Sequence, residues 1–160
     1  MSTYAKDTTV AVSASREEIE KTLRRYGADA FLFGEDNGAV TIAFRMQGRH
    51  VRFNLALPRQ SEDRFTCYLR GSVKYAYADG MALKHWEQAC RQKWRALALV
   101  IKAKLEAVAA GITTLDDEFL AHTVLPDGST VGEWAKPQLE IAYERGSMPS
   151  TLQLGGPARG

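Results

Sequence analysis

The sequence predicts an α+β fold, an antiparallel β-meander in the order β-α-β-β-β covered by one long helix from the second half of the chain. Apolar and polar residues alternate between residues 31 and 57, which is typical of half-buried strands. Apolar residues recur at helical spacing between residues 82 and 110, and smaller helical patterns follow. We expect a single domain over residues 1–146 and a flexible tail, rich in Gly and Pro, at residues 147–160.

The first part of the chain predicts one strand and one helix. Thr8 to Val12 is rich in β-branched residues and predicts a short strand. Ser15 and Glu18 have the spacing of a capping box, in which the hydroxyl accepts from one backbone amide and the carboxylate reaches back to another. A helix is therefore expected from this point to Gly27, which suits a left-handed C-cap.

Two dipeptides set the turns of the meander. Asn37-Gly38 predicts a type I′ hairpin turn, and Gly48-Arg49 predicts a two-residue type II′ turn. The second turn places Arg45 directly opposite Arg52, and like charges in that position destabilise a sheet. Something in the fold must therefore compensate for this pair.

The cations near this turn form a first candidate site. The site would be an anion-binding platform made of Arg45, Arg49, His50 and Arg52. The alternative is that these side chains pair with acids of the same chain, for example Glu17, Glu20 or Glu35. The sequence leaves both interpretations open, because the cations face one another only if the register is as predicted.

Residues 59–80 predict either an irregular hairpin or a flexible insertion. Aromatic and basic side chains are interleaved between residues 65 and 77, and Tyr68, Tyr75 and Tyr77 are the candidate contact residues. Such a mixture suits stacking of nucleic-acid bases. It also suits a protein partner, or a loop that packs on its own domain.

The long helix over residues 82–110 is expected to cover the sheet with an apolar face that includes Trp86 and Trp94. Four cations lie on another side of it, at spacings of seven, four and seven residues: Lys84, Arg91, Arg95 and Lys102. They fall within about 20° of one line on the helix surface, so this basic stripe is expected to face solvent. Such a row suits phosphate groups. The alternative is an ordinary solvated helix face.

The last 50 residues predict three further features. Gly111 is the expected C-cap of the long helix, and Thr114 the N-cap of a short helix. Thr130 and Glu133 have capping-box spacing. A last helix is expected to begin near Pro137, since proline suits the first helical position, and to end at 145–146.

Motifs of catalysis and metal binding are absent from the sequence. The two cysteines, Cys67 and Cys90, lack CxxC spacing and predict reduced thiols, Cys90 within the core. The chain contains no HExxH, GxSxG, GxGxxG or Walker A motif. We therefore predict no metal site, no cofactor and no enzymatic activity.

The sequence also predicts a cytoplasmic protein. The first residues lack the apolar segment of a signal peptide. The longest apolar run, Ala96 to Ile101, is too short to span a bilayer, so no membrane partner is expected.

Charge is unevenly distributed along the chain. Residues 1–110 contain 18 Lys and Arg and 12 Asp and Glu, whereas residues 111–160 contain three and seven. The first part thus carries +6 and the last part −4. This asymmetry is compatible with a basic partner-binding face. It is also compatible with a homodimer in which the basic first part of one chain meets the acidic last part of the other.

Five short strings together resemble a family of small uncharacterised non-structural proteins encoded by tailed bacteriophages and prophages. They are 25–28 (RYGA), 48–53 (GRHVRF), 91–97 (RQKWRAL), 101–108 (IKAKLEAV) and 125–128 (LPDG). The resemblance covers roughly residues 4–150 and carries no catalytic residue. It implies a protein of the host cytoplasm that acts on nucleic acid or binds a host protein.

These observations predict a non-enzymatic phage-type accessory protein that binds DNA or RNA. The binding surfaces would be the basic stripe of the long helix and the basic hairpin around Gly48-Arg49. The cations would contact phosphates without reading sequence. One alternative is an inhibitor or adaptor that binds a host defence or transcription complex. A second alternative is an enzyme with an unrecognised site.

Overall fold

The computed structural model describes residues 8–36, 38–78 and 80–147. Its elements in chain order are α1 (Val12–Arg25), β1 (Ala30–Asp36), β2 (Ala39–Met46), β3 (Arg49–Ala56), α2 (Asp63–Thr66), β4 (Cys67–Arg70), β5 (Val73–Ala76), α3 (Met81–Ala109), α4 (Leu115–Phe119), a 3₁₀ turn (Leu120–His122) and α5 (Val131–Arg145). Apart from Ser147, the predicted tail at residues 147–160 lies outside the described residues.

The predicted α+β class is confirmed, with an antiparallel sheet in the order β1-β2-β3 and the long helix α3. Alternation along β2 places Val40, Ile42 and Phe44 in the core. The opposite face of the sheet carries polar and small side chains together with Leu32. The first predicted strand is wrong, because residues 8–11 form neither strand nor helix and α1 already begins at Val12.

The turn between β2 and β3 differs from the prediction. The two turn residues are Gln47 and Gly48, both with positive φ, at 49° and 74°. Two consecutive positive φ angles are the type I′ geometry, whose twist matches that of the strands. The strands therefore pair two residues out of the predicted register. In the preceding turn Gly38 also has a positive φ, and Asn37 lies outside the described residues.

The predicted capping box at Ser15 is wrong. Helix α1 has Ala11 as its N-cap and no side-chain cap, so Ser15 lies inside the helix. Its side chain is fully buried on the same stripe as Ile19 and Leu23, four and eight residues further on. Packing of this stripe, which is one helical face, positions α1 in the core. Gly27 follows the helix with a positive φ, as predicted.

The core lies between the inner face of the sheet and the helices α1, α3 and α4. Trp94 of α3 is buried and packs edge-to-face on Phe33, with ring centroids 5.8 Å apart. Trp86 lies nearer the surface and donates from Nε1 to the carbonyl of Pro58 at 2.7 Å. The expected cover of the sheet by α3 is thus present, and α1 shares it. Cys90 is buried, as predicted.

Residues 63–76 form a short helix followed by a two-stranded hairpin. The short helix α2 buries Phe65 and leads directly into β4, which pairs with β5. Tyr68 faces Tyr75 across the two strands. We call β4, β5 and the adjoining Tyr77 the tyrosine hairpin.

The C-terminal part begins as predicted with Thr114, whose hydroxyl accepts from the amide of Asp117 at the start of α4. Thr130 and Glu133 form the expected capping box, but α5 begins there and not near Pro137, which lies inside the helix. The reciprocal cap satisfies two backbone donors at the helix start, and this outweighs the preference of proline for a first turn. Gly146 ends the helix in the left-handed conformation.

Candidate nucleic-acid interface

The basic stripe of α3 is divided between solvent and a helix interface. Lys84 and Lys102 are exposed, whereas the side chains of Arg91 and Arg95 are only 30% and 25% exposed. Arg95 donates from Nη1 to the carboxylate of Glu18 on α1. Arg91 donates from Nε and Nη2 to Oε1 of Gln88, at 2.9 and 2.7 Å. The expectation that the whole stripe faces solvent is therefore wrong, because α1 packs beside it.

The platform at the β2–β3 turn is also rearranged. Arg45 lies opposite His50, and Arg52 lies opposite Ala43, so the predicted Arg45–Arg52 pair does not exist. The type I′ turn causes this change by moving each partner two residues along β3. A shift of two residues leaves every side chain on its predicted face.

Each arginine of the platform has a carboxylate partner. Arg45 donates to Asp29 at 2.8 Å. Arg49 makes two bonds to Asp116, at 2.8 and 3.1 Å. Arg52 donates to Glu133 at 2.8 Å and also to the carbonyl of Gly128 at 2.8 Å.

Pairing with internal acids is thus the arrangement found, although not with the acids expected: Glu17 and Glu20 instead pair with Lys21 and Arg24 of their own helix. Donation from Arg45 and Arg49 lowers the pKa of Asp29 and of Asp116. The Arg49 and Arg52 bonds tie α4 and α5 to the sheet. His50 stays exposed.

The imidazole of His122 links the same C-terminal part to the sheet. Its ring stacks on Phe53 with centroids 4.0 Å apart. Burial lowers the pKa of His122 below its ordinary 6.5, and the charges of Lys104 and Lys136 lower it further, against a hydrogen bond to the backbone of Arg52. The neutral ring is therefore the form that the folded chain favours.

We expect stability to fall as the pH drops below about 6.5, since the unfolded chain then binds a proton at His122 before the folded chain does. The loss should level off below the folded-state pKa. A second loss should begin near pH 4, where the paired carboxylates with lowered pKa values, Asp29, Asp116 and Glu133, take up protons. Urea unfolding at a series of pH values measures both steps.

His122→Gln is the control, because glutamine retains a side-chain donor but does not titrate. This variant should lose the first step and keep the second. An unchanged step near pH 6.5 in the variant would show that another group is responsible.

The tyrosine hairpin brings aromatic rings into one row. Tyr75 stacks on Tyr68 with centroids 5.7 Å apart, and Tyr68 lies 5.2 Å from Tyr77. Tyr77 contacts His85 of α3 edge-to-face at 4.5 Å. Tyr68 and Tyr75 are 43% and 44% exposed. The row thus runs from the hairpin to the start of α3, and its far half is open to solvent.

Two cations accompany the row without a carboxylate partner among the residues that the structure describes. Arg70 lies two residues after Tyr68, on the same face of β4. Lys84 adjoins His85 in sequence and is exposed. Two other cations nearby are engaged, since Arg64 pairs with Glu62 at 2.7 Å and Lys74 with Asp63 at 2.6 Å.

The residues proposed from the sequence are therefore in three places. The hairpin tyrosines converge, the platform arginines are paired with acids, and the stripe is interrupted by α1. His85 belongs to the row and was not identified from the sequence. In the sequence, the two-residue spacing of Tyr75 and Tyr77 indicates that their rings share one face of a strand. No sequence pattern indicates that the start of α3 lies beside that face.

Within the described ranges, no three His, Cys, Asp or Glu side chains are grouped as a metal would require. None of the helices in those ranges has the length and apolar character needed to cross a membrane. Comparison of the chain with protein-family models, with curated protein sequences and with solved structures found no match.

Proposed function

We propose that this protein is a non-enzymatic nucleic-acid-binding protein that holds unpaired strands of DNA or RNA on the tyrosine hairpin. The carrying observation is the continuous row of rings formed by Tyr75, Tyr68, Tyr77 and His85. Every base has a π-face that can stack on such a ring, so binding of this kind needs no particular sequence. A phage-type role in the host cytoplasm, inferred from the resemblance, belongs to the same proposal.

The rings are suited to this task because they already contact one another in the chain without a bound strand. Tyr68 and Tyr75 support each other across β4 and β5, and Tyr77 is held by His85. A tyrosine has only two side-chain torsions, so fixing it costs little conformational entropy. Bases of a duplex are already stacked on one another, which makes an unpaired strand the better ligand.

Charge makes the smaller contribution in this proposal. Arg70 and Lys84 are the cations that the row can offer to phosphates. The platform arginines and Arg95 are engaged with acids, and Arg91 is engaged with Gln88. Single strands give a salt slope of about −0.7 per neutralised phosphate. Two phosphate contacts then predict a slope near −1.4, or about a sevenfold loss of affinity between about 50 and about 200 mM salt.

Fluorescence anisotropy with a labelled single strand of DNA, the same strand of RNA and the corresponding duplex tests the proposal. We expect both single strands to bind more tightly than the duplex, with the shallow salt dependence given above. A slope near −5 would instead indicate that the seven Lys and Arg side chains of the stripe and the platform engage phosphates. Absence of binding at low salt would contradict the function altogether.

The double variant Tyr68→Ala/Tyr75→Ala should lose affinity for the single strand by at least about tenfold, because each stacked base contributes about 1–3 kcal/mol. Tyr143→Ala is the matched control, since Tyr143 is 86% exposed on α5, outside the row. The control should bind like the unmodified protein. Equal affinity of the double variant and the control would place the interface elsewhere.

A further inference from the structure

The outer face of the three-stranded sheet carries small side chains. Gly34 faces Thr41 across β1 and β2, and Leu32 faces Ala43 in the next outward row. Ala43 in turn faces Arg52 on β3. Because the β2 residues at the centre of these rows, Thr41 and Ala43, are small, the face has a hollow along β2. Leu32 on β1 borders this hollow, and 61% of its surface is exposed.

This hollow is a groove of about 490 Å³. The segment after the 3₁₀ turn closes one side, since Val124 donates from its backbone to the carbonyl of His50 at 2.8 Å and also lines the groove. The charged and titratable side chains of its lining are all basic: Arg45, His50 and Arg52. No carboxylate lines it within the described residues.

One cation of the groove has donors left for a ligand. Arg45 uses Nε for Asp29, and no bond from its Nη atoms to a described residue is formed. Arg52 offers none, because its Nη atoms bind Gly128 and Glu133 and its Nε is buried. The Arg45 side chain is 46% exposed, so an oxygen acceptor in the groove can reach its Nη atoms.

We propose that this groove binds an extended, acidic segment of another protein. An extended chain repeats its side-chain direction every two residues, about 7 Å, which matches the spacing of the outward rows along β2. A carboxylate would approach the free Nη atoms of Arg45, and an apolar side chain would lie against Leu32 and over Ala43. This site is separate from the tyrosine hairpin and does not depend on the function proposed for it.

A peptide suits the groove better than a nucleic-acid strand does. None of the outward side chains of β1, β2 and β3 is Phe, Tyr or Trp, and the imidazole of His50 is their single ring, so the face has no row of rings on which successive bases could stack. Its floor is aliphatic or small, and its cations stand at one end. Aliphatic contact combined with carboxylate pairing is the chemistry of an acidic peptide with alternating apolar residues.

Two labelled synthetic peptides of equal length test the proposal, one alternating valine with aspartate and the other alternating valine with lysine. We expect the acidic peptide to bind at least about tenfold more tightly than the basic one in fluorescence polarisation. Ala43→Phe, which fills the groove, should reduce this affinity by at least about tenfold. Leu32→Ser, at an exposed position that the fold tolerates, should reduce it as well.

Ala103→Phe is the matched control, since Ala103 is exposed on α3 away from the sheet. It should leave peptide binding unchanged, as should the double tyrosine variant. Equal affinities for the two peptides, absence of binding to either, or an unaffected Ala43→Phe/Leu32→Ser double variant would overturn the proposal. Loss of single-strand binding in Ala43→Phe would overturn it too, because the groove would then belong to nucleic acid.

Discussion

Replacing Phe119 with alanine is expected to lower the free energy of unfolding by about 3–5 kcal/mol, the range for a fully buried phenylalanine. Its ring is 0% exposed and packs edge-to-face on Phe44 and Phe53, with centroids 5.7 and 6.1 Å away. It anchors α4 beneath the sheet, and helix packing cannot collapse fully into the space it leaves. Urea denaturation followed by tryptophan fluorescence measures the change.

Leu120→Ala is the control for this variant, because Leu120 is the next residue and is 53% exposed. Its stability should change by less than about 0.5 kcal/mol. A loss in Phe119→Ala no larger than that of the control would mean that α4 is not part of the core. The sheet would then lack one of its supports, and the groove on its outer face would have no rigid floor.

The sequence predicts the faces of the sheet better than its register. Alternation alone decides that Phe44 points inward and Arg45 outward, because side chains alternate with a period of two. It does not distinguish Gly48-Arg49 from Gln47-Gly48 as the turn, since each contains a glycine. Gln47 with a positive φ is uncommon for a residue other than glycine, which is why the structure differs here.

The partners of the surface charges were the part least accessible from sequence. Arg49 and Asp116 are 67 residues apart, and Arg52 and Glu133 are 81 apart. A helical projection likewise shows that Arg95 lies away from the apolar face but not that Glu18 comes to meet it. The hairpin tyrosines could be predicted, because their composition and strand spacing are local.

These pairings change what the positive charge of the first 110 residues does. Three of the cations singled out from the sequence join elements of the fold: Arg95 joins α3 to α1, and Arg49 and Arg52 join the sheet to α4 and α5. Their charge is neutralised locally, so it gives little attraction for phosphates at a distance. Both proposals therefore place ligand binding elsewhere, on the rings of the tyrosine hairpin and on the unused donors of Arg45 in the groove.

Charge reversal of the stripe separates the structural role from the binding role. Arg95→Glu is expected to lower the free energy of unfolding by about 2 kcal/mol, because it places two carboxylates together in a half-buried site where Arg95 now meets Glu18. Its affinity for a single strand, measured where the variant is still folded, should stay within about twofold of the unmodified protein.

Lys84→Glu should behave in the opposite way. Lys84 is exposed at the start of α3 and precedes His85 in the sequence, so its reversal should leave stability within about 0.5 kcal/mol while weakening single-strand binding. Comparing urea unfolding and anisotropy for the two variants decides between the surfaces. If Arg95→Glu were as stable as the unmodified protein and did not bind, the stripe and not the tyrosine hairpin would be the nucleic-acid interface. Arg95 would then be needed for contact with phosphates and not for the stability of the fold.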